Sequence, residues 1–122
     1  MKKRLAPLIL LVVLLAGGFF AFGNSGANPE ELVHSSVYPY GRLIQTGSYR
    51  TFTAERGRGP ALILVHGFAS SSYTWHGVMD PLAENFRVVV LDLKGFGATD
   101  RPEGPYNRDA FADQIRDTMD AL

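Results

Sequence analysis

The sequence Ala61-Leu62-Ile63-Leu64-Val65-His66-Gly67-Phe68 decides the fold, because an apolar strand runs directly into a glycine-containing turn. The pattern recurs further along, where the apolar run 86–91 ends at Asp92 and continues into Leu93-Lys94-Gly95-Phe96-Gly97. Apolar, β-branched strands with a helical pattern between them are typical of a parallel sheet that is covered on both faces. In such sheets the loops at the carboxyl ends of the strands carry the functional residues. The sequence therefore predicts an α/β fold with a candidate site after these two strands.

Two short strands are predicted before the first apolar run. Leu43–Thr46 and Tyr49–Thr53 read as an antiparallel pair, joined by a turn at Gly47-Ser48. The second of them is rich in Tyr, Thr and Phe with rough alternation, as a half-exposed strand requires.

Helices are predicted after each apolar strand. One of Ser70, Ser71 and Ser72 can cap a first helix that places Trp75 in the core, and Asp80-Pro81 predicts a break and a restart at Pro81. The final segment has Asn107 as its cap and Asp109 in its first turn. Its apolar residues recur at helical spacing: Phe111, Ile115, Met119 and Leu122.

Residues 1–23 have the composition of a membrane-targeting segment. Cations at residues 2–4 precede an uncharged apolar run from Leu5 to Phe22, and a run of about 18 residues is just long enough to cross a bilayer as a helix. Phe19 and Phe20 stand where a signal peptidase prefers small residues. We therefore predict an uncleaved apolar helix that anchors the protein in the membrane, with the rest on the outer or periplasmic side. Cleavage to a secreted or periplasmic protein is the alternative.

The remaining chain divides into a linker at residues 24–41 and a folded part at residues 42–122. Three of the 12 Lys and Arg residues lie in the amino-terminal cluster, so the rest carries nine cations against 12 Asp and Glu residues. This net charge of −3 leaves no basic stripe, which argues against a nucleic-acid partner. The absence of cysteine excludes disulfides and thiolate metal sites. No metal or cofactor is expected, and the sequence sets no oligomeric state.

The stretch from about Leu43 to Leu122 resembles the amino-terminal half of the α/β-hydrolase family. Motifs that match occur in the family's order: His66-Gly67-Phe68, Trp75, Asp92-Leu93-Lys94-Gly95-Phe96-Gly97, Asp100-Arg101-Pro102 and Tyr106. The resemblance implies a partial α/β-hydrolase fold, with an antiparallel hairpin followed by parallel strands and helices, after an amino-terminal apolar helix. In the family's strand order, residues 61–65 would border a strand that this sequence does not include. We therefore expect that edge to be open.

The resemblance also implies roles for individual residues. The backbone amide of Phe68 would be a donor of the oxyanion hole, and Gly67 would let a substrate approach the backbone closely. Because the family's catalytic histidine comes last in the chain, His66 is expected to shape its loop instead of transferring protons. Substrate-binding or loop-shaping roles fall to the other matching positions: Ala69, Asp92, Gly95 and Gly97.

The sequence contains neither Gly-x-Ser-x-Gly nor Gly-x-Asp-x-Gly, so the resemblance places the nucleophile beyond Leu122. The leading hypothesis is a fragment of a hydrolase that cleaves an ester or similar bond of a small, partly apolar substrate and is inactive without the missing residues. An Asp nucleophile, as in epoxide or haloalkane hydrolysis, is disfavoured because Ala69 replaces the Pro that those members often carry. A non-catalytic, membrane-tethered binding protein of the same fold is the main rival. A purely structural anchor peptide would leave the two loops unexplained.

Overall fold

A computed structural model describes residues 9–11 and 38–122 of the chain. Its secondary structure comprises strands β1 (Ile9–Leu11), β2 (Arg42–Thr46), β3 (Tyr49–Arg56), β4 (Ala61–Val65) and β5 (Arg87–Leu91), a 3₁₀ helix (Ser72–Trp75), and helices α1 (Met79–Ala83) and α2 (Arg108–Ala121). The strands form one mixed sheet in the order β1-β4-β5-β3-β2. The predicted linker lies outside the described residues up to position 37.

The parallel pair predicted from the two apolar runs is confirmed. Strand β4 pairs with β5 in parallel, from Ala61 opposite Arg87 to Val65 opposite Leu91. The carboxyl ends of the two strands therefore lie side by side, and the loops that follow leave the same edge of the sheet. This register is what brings the His66 turn and the Asp92 loop together.

The predicted hairpin is also confirmed. Strands β2 and β3 are antiparallel, with Thr46 opposite Tyr49 across the Gly47-Ser48 turn. Gly47 has a φ of +60°, a conformation that glycine adopts at little cost. Strand β3 extends to Arg56, three residues beyond the prediction, because its second half pairs antiparallel with β5.

The prediction of an amino-terminal apolar helix is wrong at residues 9–11. Strand β1 pairs in parallel with β4, and its three residues lie opposite Leu62, Ile63 and Leu64. The expected open edge of β4 is thus occupied over these three positions. An unpaired strand edge presents free N–H and C=O groups, and an extended segment can form hydrogen bonds with them. The rest of the predicted helix lies outside the described residues, and no helix in the described part is long and apolar enough to cross a membrane.

The sheet is covered on both faces by side chains that alternate along the central strands. Leu62, Leu64, Val88 and Val90 pack on one face, where Trp75 is buried in the core as predicted. The opposite face consists of Ile63, Val89 and Leu91, and α2 covers it with Phe111 and Ile115. This alternation is the pattern expected of strands that are buried on both faces.

The helical region after β4 differs from the prediction in its break. Ser71 caps the 3₁₀ helix by accepting a hydrogen bond from the Tyr73 amide, as the serine run suggests. The next helix, however, begins at Met79, so Asp80 and Pro81 lie inside its first turn instead of interrupting it. Proline is tolerated there because N–H groups in the first turn have no partner within the helix.

Helix α2 begins as predicted. The Asn107 side chain accepts a hydrogen bond from the Ala110 amide (3.0 Å), which is an N-cap contact. The apolar stripe continues less well, because Met119 is exposed whereas Gln114 and Thr118 are buried. The face of α2 that packs on the sheet is therefore partly polar.

Candidate active site

Two loops meet at the carboxyl edge of the parallel pair. The first loop, residues 66–72, follows β4 and ends in the 3₁₀ helix. The second loop, residues 92–99, follows β5. The sequence-predicted residues of both loops are thus brought to one edge of the sheet, which is where α/β folds place their ligands.

His66 is buried in the first loop with both ring nitrogens engaged by backbone groups. The Leu93 amide donates to its Nε2 (3.0 Å), so Nδ1 carries the proton and donates to the Gly67 carbonyl oxygen (2.7 Å). Burial lowers the pKa of His66, although the Gly67 hydrogen bond and the nearby Asp92 carboxylate act in the opposite direction. A neutral imidazole with both nitrogens occupied is suited to shaping loops and is poorly placed to accept a substrate proton.

Asp92 is the corresponding buried group of the second loop. Its Oδ1 accepts a hydrogen bond from the Ser72 amide (2.6 Å), and its Oδ2 accepts one from the Ala98 amide (2.9 Å). A carboxylate with a backbone donor on each oxygen forms charge-assisted hydrogen bonds, which are stronger than neutral ones. Asp92 therefore holds its own loop closed and binds the end of the first loop.

The second loop depends on glycine at Gly97. Its φ is +50°, and an added Cβ would collide with the Asp92 carboxylate. A larger residue would thus displace the group on which the loop is built. Gly95, at a φ of +84°, lies against the ring of Tyr106, whose hydroxyl donates to the Pro102 carbonyl oxygen.

Phe68 lies at the outermost point of the first loop. Its side chain is 93% exposed, and its ring lies edge-on to Phe96 of the second loop, with 6.0 Å between the ring centroids. Within the hydrogen bonds of residues 38–122, the Phe68 amide has no protein acceptor. Beside it, a Cβ built on Gly67 would meet no atom within 4 Å, so the space next to this backbone is open.

Ala69 has a φ of +55°, the one left-handed non-glycine residue among those described. Such a conformation costs roughly 1–2 kcal/mol for an L-residue, and strain of this kind is concentrated at functional sites. Proline cannot adopt it, because its ring fixes φ near −65°. The loop therefore has a backbone conformation that is incompatible with proline at this position.

Gln114 is a site residue that the sequence analysis missed. It reaches from α2 to the base of the second loop, accepting from the Lys94 amide (2.8 Å) and donating to the Asp92 carbonyl oxygen (3.0 Å). Thr99 binds the same carbonyl through its hydroxyl (2.6 Å). The signal was present in the sequence, since Gln114 lies three residues after Phe111 on the same helical stripe. A polar residue on a packing face has to find partners there.

The Asp100 carboxylate ties the end of the second loop to the hairpin. Arg50 donates to it from Nε and from one terminal nitrogen, each at 3.1 Å, and through its backbone amide at 2.9 Å. Burial alone would raise the pKa of Asp100, but these hydrogen bonds and the Arg50 charge lower it below its usual value. This arrangement fastens the end of the second loop to β3.

The profile of the alpha/beta hydrolase fold family matches residues 60–122, about half of the chain, including both loops. The chain belongs to the α/β-hydrolase family. The parallel pair β4–β5, the two loops and helix α2 all lie within the matched residues.

Similar proteins carry several different names. An uncharacterized protein of Mycobacterium tuberculosis is 40% identical over 94 residues, which cover 77% of this chain and 25% of that protein. A fluoroacetate dehalogenase of a Burkholderia species is 35% identical over 86 residues, covering 66% of this chain and 28% of that protein. A solved meta-cleavage product hydrolase mutant is 36% identical with a TM-score of 0.64, covering 68% of this chain and 32% of its own. The chain spans about a quarter of the length of the curated relatives it matches.

Proposed function

We propose that residues 38–122 supply the oxyanion-stabilising part of a hydrolase that cleaves an ester or similar bond in a small, partly apolar substrate. The Phe68 amide is the donor. The observation that carries this proposal is the combination at the first loop: a Phe68 amide without an acceptor among residues 38–122, open space beside Gly67, and the left-handed Ala69 directly after Phe68. An exposed aromatic ring at the same point provides apolar surface for a substrate.

The chemical role of the Phe68 amide follows from charge. When a nucleophile attacks an acyl carbon, the carbonyl oxygen gains negative charge, and an N–H group aimed at that oxygen stabilises the tetrahedral state. One such donor is worth roughly 3 kcal/mol of the activation barrier. In this proposal the nucleophile, its base and the acid come from polypeptide outside residues 1–122, which contain no Gly-x-Ser-x-Gly.

A serine nucleophile is favoured over aspartate by the backbone at Ala69. Members with an Asp nucleophile often carry proline at this position, and the left-handed φ of +55° excludes proline here. The loop of this chain is therefore built differently from a His-Gly-Phe-Pro turn. The serine assignment predicts covalent labelling by a fluorophosphonate probe.

We propose further that residues 1–23 deliver the folded part to the outer side of a membrane, either as an anchor or as a cleaved signal. The basic residues at positions 2–4 and the apolar run that follows support this. Resistance of the protein to carbonate extraction, together with its amino-terminal sequence, distinguishes an anchor from a cleaved signal. Recovery of uncleaved protein in the cytosolic fraction would contradict both.

The decisive experiment changes one atom. In the complete protein that contains residues 1–122, Phe68 is replaced by its α-hydroxy acid analogue, which converts the backbone N–H to an ester oxygen and keeps the ring. With a p-nitrophenyl ester as substrate, we expect kcat to fall about 10²–10³-fold while KM changes little.

Phe68→Ala is the matched control, because it keeps the N–H and removes the ring. We expect Phe68→Ala to raise KM for apolar esters and to leave most of kcat. Equal kcat for the ester analogue and the parent would remove Phe68 from the oxyanion hole. A complete protein that neither turns over esters nor reacts with a fluorophosphonate would instead support the Asp-nucleophile hydrolase if it opens epoxides or releases halide, and the non-catalytic binding protein if it does neither.

A further inference from the structure

The two loops of the site are bound to each other in both directions. His66 of the first loop accepts a hydrogen bond from the Leu93 amide of the second. Asp92 of the second loop accepts one from the Ser72 amide of the first. Each loop thus sends one buried side chain into the backbone of the other.

We propose that His66 and Asp92 are a reciprocal pair of positioning residues, through which the second loop sets the orientation of the Phe68 amide. This inference rests on the proposed function, because it assigns the pair a role in oxyanion stabilisation. Neither residue contacts substrate in this scheme. They act by holding the turn that carries the donor.

The geometry connects the pair to Phe68 along short paths. His66 lies two residues before Phe68 and fixes the intervening turn by donating to the Gly67 carbonyl oxygen. The ring of Phe96, in the second loop, lies edge-on to both His66 and Phe68, at centroid distances of 5.7 and 6.0 Å. A shift of the second loop would therefore reach the Phe68 turn through a hydrogen bond and through a ring contact.

Burial makes these contacts costly to lose. Removing the His66 Nε2 acceptor would leave the Leu93 N–H unsatisfied in a buried site, and such a group drives rearrangement of its backbone. Because oxyanion stabilisation is sensitive to the position of the donor, a small movement of the turn is expected to reduce kcat more than substrate binding.

Two substitutions at His66 separate the bond within the first loop from the bond between the loops. In His66→Asn, the side-chain NH₂ group reaches the position of Nδ1 and can still donate to the Gly67 carbonyl oxygen. The Leu93 N–H is left without an acceptor. The amide of His66→Gln reaches the position of Nε2 and can accept from Leu93. In the complete protein, assayed with a p-nitrophenyl ester, we expect His66→Asn to lose about tenfold or more in kcat, with KM nearly unchanged. His66→Gln should recover most of this loss.

Amide hydrogen exchange of the second loop provides the readout that is independent of catalysis. We expect faster exchange at Leu93 in His66→Asn than in His66→Gln and the parent. If the protein lacks esterase activity but Leu93 exchange follows this order, the proposed function fails and the link between the loops stands without a catalytic role. If Asn and Gln variants show the same exchange and the same kcat, the inference is overturned.

Discussion

The two loops at the carboxyl edge of the sheet differ in how fully their groups are hydrogen-bonded and buried. In the second loop, the Asp92 carboxylate, its carbonyl oxygen and the Lys94 amide are all hydrogen-bonded inside the protein. The first loop exposes Phe68 almost completely and carries the strained Ala69. The second loop is therefore a scaffold, the first loop carries the proposed oxyanion donor, and His66 and Asp92 connect the two. Loss of the buried hydrogen bonds of the second loop should accordingly cost stability, whereas a change confined to the exposed Phe68 should affect mainly catalysis.

The largest loss of stability is expected from Asp92→Ala. This change leaves the Ser72 and Ala98 amides without their carboxylate acceptor in a buried site. Since hydrogen bonds to charged groups contribute roughly 1.5–3 kcal/mol each, the free energy of unfolding should fall by about 3 kcal/mol or more. Urea unfolding measures it, and Asp109→Ala, an exposed carboxylate in α2, is the control. Similar midpoints for the two variants would remove the scaffold role of the second loop.

Two substitutions of Ala69 are expected to change the stability in opposite directions. Ala69→Pro cannot adopt the φ of +55° and should cost roughly 1–3 kcal/mol or more of stability. Ala69→Gly relieves the left-handed strain, at some cost in unfolded-state entropy, and should stabilise by about 0.5 kcal/mol. Thermal unfolding of the three proteins checks the order Gly, Ala, Pro. A proline variant as stable as the parent would show that the turn is not left-handed.

The pH dependence of stability sharpens the role of His66. Burial keeps the folded-state pKa of His66 below its ordinary value of 6.5, so the unfolded chain binds a proton at pH values where the folded protein does not. The stability that the neutral His66 contributes is fully present above pH 6.5. As the pH falls from there to the folded-state pKa, this stability is lost, and the free energy of unfolding falls by at most about 1.4 kcal/mol per pH unit. In urea unfolding from pH 8 to 5, His66→Gln should show a shallower decline. An unchanged slope would mean that His66 is not buried as a neutral ring.

The smallest effect on stability is expected at the most exposed site residue. Phe68→Ala removes a ring that is 93% exposed, so the free energy of unfolding should change by less than about 0.5 kcal/mol. Phe52→Ala, which removes a fully buried ring, provides a comparison of the same size in the core. A loss above 1 kcal/mol for Phe68→Ala would mean that the ring is packed, and the contrast between the two loops would fail.

Much of the fold could be predicted from sequence because its signals are local. The β-branched run 61–65, the turn at Gly47 and the Asn107 cap each reflect a preference of a few neighbouring residues. The carboxyl ends of parallel strands also indicate where a site lies, and His66 and Asp92 each directly follow such an end.

The features that sequence analysis missed depend on partners that are distant in the chain. Gln114 acquires its role only when α2 packs over the second loop. The left-handed conformation of Ala69 cannot be predicted from its residue type, because alanine rarely adopts a positive φ. The sequence predicts a helix start at Pro81, but the helix begins two residues earlier, at Met79, which packs in the core. Residues 9–11 form a strand instead of the predicted helix, because they pair with the otherwise free edge of β4.

The pairing of Ile9–Leu11 with β4 creates a conflict of use. The same three residues cannot line the sheet and reside among lipid chains at one time. If residues 1–23 enter a bilayer as proposed above, Leu62–Leu64 would lose this neighbour, and the edge of β4 would be free to pair with another strand. Ile9–Leu11 would then occupy the edge of β4 only before insertion.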